Sequence, residues 1–142
     1  MIVDTILQSK GTAVHTLRDS DTLSAAVALL NTHNIGAVVI VGHGETVAGI
    51  LSERDIVRQL GKNPATALAQ AIGACMTRTV VTCDRSTAIA DVMERMTRHR
   101  IRHMPVVDGD RLSGIISIGD VVKLKIEEVE HEAEALRDYI AG

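Results

Sequence analysis

The chain has no phenylalanine and no tryptophan, and Tyr139 is its only Phe, Tyr or Trp residue in 142 positions. Single-stranded nucleic acid is usually gripped by bases stacked on such rings, so that function is a poor fit. A purine bound here has to rest on Ile, Val, Leu or Met instead. The formal charge is −3, which gives no general field for a polyanion. No run of about 18 apolar residues is present for a membrane span. The opening Met1-Ile2-Val3-Asp4 lacks a secretory pattern, and a cytoplasmic protein is expected. Cys75 and Cys83 form no Cys-x-x-Cys and are expected to stay reduced. The histidines (His15, His33, His43, His99, His103 and His131) show no metal-ligand spacing. There is no Gly-x-Ser-x-Gly, Walker loop or dinucleotide fingerprint, and neither Ser52 nor Ser117 has a neighbouring His. Catalysis and a metal requirement find no support.

What is present is a repeat. Gly49-Ile50-Leu51-Ser52-Glu53-Arg54-Asp55 returns 65 residues later as Gly114-Ile115-Ile116-Ser117-Ile118-Gly119-Asp120. Upstream, Val14–Thr16 overlays Val80–Thr82 and Ile35–Val41 overlays Ile101–Val107 at a shift of 66. The residue lost between these blocks falls in Gly42-His43-Gly44-Glu45 against Asp108-Gly109-Asp110, two glycine-rich hairpin turns. A length change confined to a turn is what two folded copies tolerate.

Patterning gives each copy the order β-α-β-β-α, a mixed α/β (α+β) class with a small sheet and helices on one face. A short helix over Ile2–Gln8 leads in. The first copy then has a strand over Thr12–Thr16 and a helix opened by Ser20-Asp21-Thr22 with Leu23, Val27 and Leu30 inward. A hairpin of Gly36–Val41 and Thr46–Leu51 and a helix over Ser52–Leu60 complete it. Gly61-Lys62-Asn63-Pro64 breaks that helix, and an Ala-rich crossing follows. The second copy has a strand over Thr79–Thr82, a helix over Ser86–His99, a hairpin over His103–Ile116 and a long helix from Ser117 to about Ile140. On that helix Val122, Ile126, Val129, Ala133, Leu136 and Ile140 form an a/d seam. It fits either a helix docked on its own module or a dimer contact. The organisation expected is a leading helix over 1–9, repeats over 10–62 and 76–126, a linker over 63–75 and a helical extension over 127–142.

Each Ser-x-x-Asp stands where a strand hands over to a helix. A Ser at N-cap with an acid at N3 is close to a capping box, worth about 1 kcal/mol and common everywhere. Two in register, each behind Gly-Ile and an apolar strand end, point further. A carboxylate there can accept both hydroxyls of a vicinal diol such as ribose, while first-turn amides face a phosphate. Arg98-His99-Arg100-Ile101-Arg102-His103-Met104-Pro105 is the other basic feature. Arg98 belongs to a solvated helix face, whereas Arg102 and His103 lie where a helix passes into a strand, and Pro105 suits a strand start or edge. Their first-copy counterparts are Gly36 and Ala37, so the cationic character belongs to one copy.

The two Gly-Ile-x-Ser-x-x-Asp segments, the Arg102–Val107 run and the duplicated β-α-β-β-α order together resemble a tandem cystathionine-β-synthase (CBS) domain pair, over roughly residues 10–130. The resemblance implies a pseudo-twofold module (a Bateman module) with two clefts between the copies. It also implies adenosine-containing ligands such as AMP, ADP, ATP, NAD(H) or S-adenosylmethionine, with AMP first, no metal, and homodimers that signal to a partner protein. By position, the first cleft would use Asp55 for ribose and Ser52 with Arg54 near phosphate. Thr79 and Val80 would border adenine, and Arg102, His103 and Pro105 would approach from the other copy. The second would use Asp120 and Ser117, with Thr12, Ala13, Ile35, Gly36 and Ala37 opposite. Gly119 stands where Arg54 does, so this cleft is expected to lack cationic contacts. The alternative is a dimeric interaction module with vestigial clefts.

Overall fold

The computed structural model describes residues 1–142. Its elements are α1 (Val3–Lys10), β1 (Thr16–Leu17), α2 (Leu23–His33), β2 (Ala37–Val41), β3 (Val47–Ser52), α3 (Glu53–Lys62), α4 (Ile89–His99), β4 (His103–Asp108), β5 (Arg111–Ser117) and α5 (Ile118–Ala141). The mixed α+β class expected from patterning is the class observed.

The repeat is visible at backbone level. β2 and β3 pair antiparallel with Ala37 opposite Ser52, and β4 and β5 pair antiparallel with His103 opposite Ser117. The register slips between Ile40 and Val41 in one hairpin and between Val106 and Val107 in the other, equivalent places in the two copies. Asn34 and Arg100 both end their helices in the left-handed region, with φ of 51° and 54°. Each is followed by an isoleucine whose N–H returns to the helix, Ile35 to Leu30 and Ile101 to Met96. The left-handed glycines of the two turns, Gly44 and Gly109, differ by 65 rather than 66 positions, so the deletion does fall in the turn.

Three expectations are corrected. The strand expected over Thr12–Thr16 shrinks to Thr16–Leu17, which runs parallel to Val39–Ile40, because the residues before it leave the sheet. The strand expected over Thr79–Thr82 does not form, and a single parallel bridge from Cys83 to Val106 stands in its place. The helix expected from Ser86 begins at Ile89. Ser86 and Thr87 instead bond the Asp84 carboxylate in a local turn, a competing use of short polar side chains.

The core is divided. One cluster joins Leu23, Ala26 and Leu30 of α2 to Val38, Ile40 and Leu51 of the first hairpin, Ile56 of α3, and Ile72 and Met76 of the linker. The other joins Val92, Met96, Met104, Val106, Ile116 and Val121 to Val3, Ile6 and Leu7 of α1. The first helix of the chain therefore belongs to the second repeat. Val3 N–H donates to Thr87 O and Ile89 N–H to Met1 O, pinning the leading segment on the start of α4. Linker residues do the same for α2, with Leu23 N–H donating to Gln70 O and Ile72 N–H to Asp21 O. Gly114 is needed where α1 crosses, since a Cβ there would lie 2.9 Å from Leu7 Cδ2. Its counterpart Gly49 admits Met76 of the linker in the same way.

Candidate functional site

Both Ser-x-x-Asp segments fold into complete capping boxes. Ser52 Oγ accepts from Asp55 N–H while Asp55 Oδ2 accepts from Ser52 N–H at 3.0 Å, and Ser117 with Asp120 repeats the arrangement at 2.9 Å. Glu53 N–H is taken by Gly36 O, and Ile118 N–H by Arg102 O. The N-cap, N1 and N3 amides are thus satisfied within the chain, so a phosphate at either turn finds fewer free amides than a bare helix end offers.

The acids differ in what else reaches them. Thr77 donates its hydroxyl to Asp55 Oδ1 at 3.3 Å, and its N–H to Ile50 O at 2.9 Å. At the equivalent place in the second copy, Lys10 donates from Nζ to Asp120 Oδ2 at 2.7 Å and to Ile115 O at 3.1 Å. A neutral hydroxyl thus faces one carboxylate and an ammonium the other. Burial alone would raise the Asp120 pKa, but the Lys10 hydrogen bond and charge and the Ser117 bonds outweigh it and hold the carboxyl below its ordinary value.

A cavity of about 350 Å³ opens beside Lys10. Ala13, Ile35, Gly36, Ala37 and Ser117 of the expected second cleft line it, joined by Val14, His15, Asn34 and Ile115. Thr12 is not in the wall, and Asp120 reaches it through Lys10. Ala13, Val14 and His15, which leave the sheet before β1, form part of this wall, which gives the short strand a reason. His103, assigned by position to the first cleft, also lines this cavity. A Cβ at Gly36 would lie 3.2 Å from its ring, so glycine admits the imidazole. Burial, reinforced by Lys10 and Arg102, keeps the His103 pKa below its ordinary value against the pull of Glu53 and Asp120.

The first-cleft residues are less gathered. Ser52 and Asp55 are half-buried beside Thr77, whereas Arg54, Thr79 and Arg102 are exposed and Val80 is half-buried. Pro105 is buried in β4 opposite Ile115, and its carbonyl accepts Cys83 N–H, a place in the sheet rather than in a cleft wall. The expectation that the second cleft lacks a cation is corrected by Lys10. Nothing in the repeat pattern marks it, because it belongs to α1. Thr77 was detectable in principle, since a shift of 66 overlays it on Gly11, next to Lys10.

Comparison with known proteins decides the family. The model of the CBS domain matches residues 11–62 and again 71–127. The chain belongs to the CBS-domain family. This CBS pair is 36% identical over 126 residues to the mitochondrial CBS domain-containing protein CBSX3 of Arabidopsis thaliana, covering 86% of the chain and 61% of that protein. It superposes on the CBS-domain protein ATU1752 of Agrobacterium tumefaciens with a TM-score of 0.84 at 40% identity, covering 88% and 99% of the two chains. The CBS pair of MJ0100, solved with 5′-methylthioadenosine and S-adenosyl-L-methionine, gives 0.80 at 27% identity over 90% and 98%. No helix of this CBS pair is long and apolar enough to cross a membrane.

Proposed function

We propose that this CBS pair is a non-enzymatic cytoplasmic sensor that binds an adenosine-containing ligand between its repeats and passes the change in shape to a partner. The observation that carries this reading is the cavity of about 350 Å³, walled by residues of both repeats beside a carboxylate fixed by a capping box. Its size lies in the range of small-molecule sites. Asp120 offers acceptors for ribose hydroxyls, and Ala13, Val14 and Ile35 offer the aliphatic wall that a purine needs in a chain without Phe or Trp. The ligands of MJ0100 are adenosine compounds, which supports the class. AMP is the first candidate here, with ADP, ATP, NAD(H) and S-adenosylmethionine behind it.

For the first cleft the proposed ligand residues are Ser52, Arg54, Asp55, Thr79, Val80 and Arg102, whereas Pro105, buried in β4, takes no part. Because a ligand touching both repeats has different affinities for different tilts, binding shifts the population of tilts. A thermal-shift series with AMP, ATP, NADH and S-adenosylmethionine tests this reading. Ligand at about 100 times its dissociation constant should stabilise the fold by about 2.7 kcal/mol, and no shift with any of them would overturn the proposal.

A second role is favoured by α5. Only Val121 is buried, with Leu124 packed partly against the core, whereas the seam faces solvent, with Ile126 53%, Val129 61%, Leu136 60% and Ile140 76% exposed. Docking of the seam on its own module is therefore not what this helix does. It is available to pair with a second copy as a homodimer. Truncation after Glu128, followed by sedimentation analysis, should give a monomer that still binds nucleotide.

A further inference from the structure

We infer that Lys10 makes the second cleft selective for adenosine ligands that carry an anion, by donating to that anion while Asp120 holds it in place. The inference rests on the nucleotide-binding reading above and adds a residue from outside either repeat, since the family match begins at residue 11.

The geometry is specific. An ammonium carries three donors, and Lys10 spends one on Asp120 Oδ2 at 2.7 Å and one on Ile115 O at 3.1 Å. The third remains for a ligand, and Lys10 lines the cavity. Asp120 Oδ2 already accepts from Ser117 N–H and Lys10. Oδ1 is thereby left to a ribose hydroxyl, so acid and ammonium can serve one ligand together. Lys10 is also fixed from behind, because α1 is anchored by Val3, Ile6 and Leu7 in the core of the second repeat. In the ion pair the Lys10 side chain is 34% exposed and that of Asp120 24%. The equivalent place in the first copy holds Thr77, a neutral donor. The two acids thus differ in their partner, and only Asp120 receives an ammonium, from the leading helix.

The test compares AMP with adenosine on wild type and Lys10→Met, which keeps the aliphatic stem and removes the charge. Amide chemical shifts of Gly36 and Ala37 report the second cleft, and those of Thr79 and Val80 the first. For the Gly36 and Ala37 signals, Lys10→Met should weaken AMP by roughly ten- to a hundredfold, the loss expected for a charge-assisted contact. Adenosine should change by less than about threefold, a difference below the scale of one such contact. Equal weakening of AMP and adenosine would overturn the inference and reduce Lys10 to a structural ion pair, leaving the nucleotide reading intact. If neither compound moves Gly36 or Ala37 in wild type, the nucleotide reading of this cleft falls as well. Lys10→Arg, which keeps the charge, should retain preference for AMP, and its loss would likewise count against the assignment.

Discussion

Replacing Leu7 by alanine tests whether α1 is a structural part of the second repeat or an ornament on it. Leu7 is 2% exposed and lies among Val3, Ile6, Ile116 and Val121 in the second core. Its Cδ2 approaches to 2.9 Å of where a Cβ on Gly114 would sit, so the strand has no side chain with which to fill the space left behind. Leu→Ala substitutions in cores lose about 2.7–5 kcal/mol, and the upper part of that range belongs to sites that cannot collapse. Here the helix covers one flank of the core and can settle inward, so about 3 kcal/mol is expected. That corresponds to a fall in melting temperature of roughly 10 °C for a domain of this size. Urea titration followed by far-ultraviolet circular dichroism measures it, with Ser9→Ala on the exposed face of α1 as control, expected within about 0.5 kcal/mol of wild type. A cost for Leu7→Ala no larger than that of Ser9→Ala would refute the placement of α1 in the core.

Arg102→Ala should weaken AMP at the first cleft far more than adenosine, by the order of 1.5–3 kcal/mol that a charge-assisted contact contributes; calorimetry that shows equal losses would make Arg102 a surface charge only. Cys83 is buried, and desolvation, offset in part by Arg95, pushes its thiol up to about 11. It should therefore resist Ellman's reagent at pH 8 until urea is added, and rapid labelling of Cys83 in native protein would contradict its place against Pro105. For His103 the folded state disfavours the proton, burial being the first cause. The unfolded chain then binds more protons as pH falls below the ordinary histidine value of about 6.5, so stability is present above that value and declines below it. Urea titrations at pH 5.5 and 7.5 should show a smaller drop for His103→Asn than for wild type; equal drops would show that His103 does not contribute.

Duplication and its consequences were legible because they depend on local chemistry. Gly-Ile-x-Ser-x-x-Asp specifies a strand end, an N-cap and an acid at N3 by residue type alone, and both capping boxes formed where the spacing placed them. The deletion was legible for a similar reason, since Gly44 and Gly109 mark turns that need a positive φ. The first strands were not. Val14–Thr16 and Val80–Thr82 have β-forming composition, yet most of each has no neighbouring strand to pair with. In the first copy that freed backbone, Ala13 to His15, forms part of the wall of the cavity. Composition reports a preference for extended backbone but not whether a partner strand is present. The cation beside Asp120 was hidden for a different reason. Lys10 and Asp120 are 110 positions apart, and only the crossing of α1 onto β5 joins them. His103 shows the same limit, because positional equivalence assigned it to one cleft while the space above Gly36 drew its ring into the other.

The division of the core also sets an order of assembly. Domains made from the N-terminus fold as their residues become available. α2, β2, β3 and α3 are complete once the linker residues Ile72 and Met76 have been made, and their core can then close. α1 precedes all of them, yet its apolar face has nowhere to go until β4 and β5 exist. During that interval Val3, Ile6 and Leu7 are exposed hydrophobic groups on a helix of only eight residues, too short to be stable alone in water. The second cleft is therefore completed only once β5 and the start of α5 exist, and a chain stopped before Asp120 would carry Lys10 without the acid that positions it.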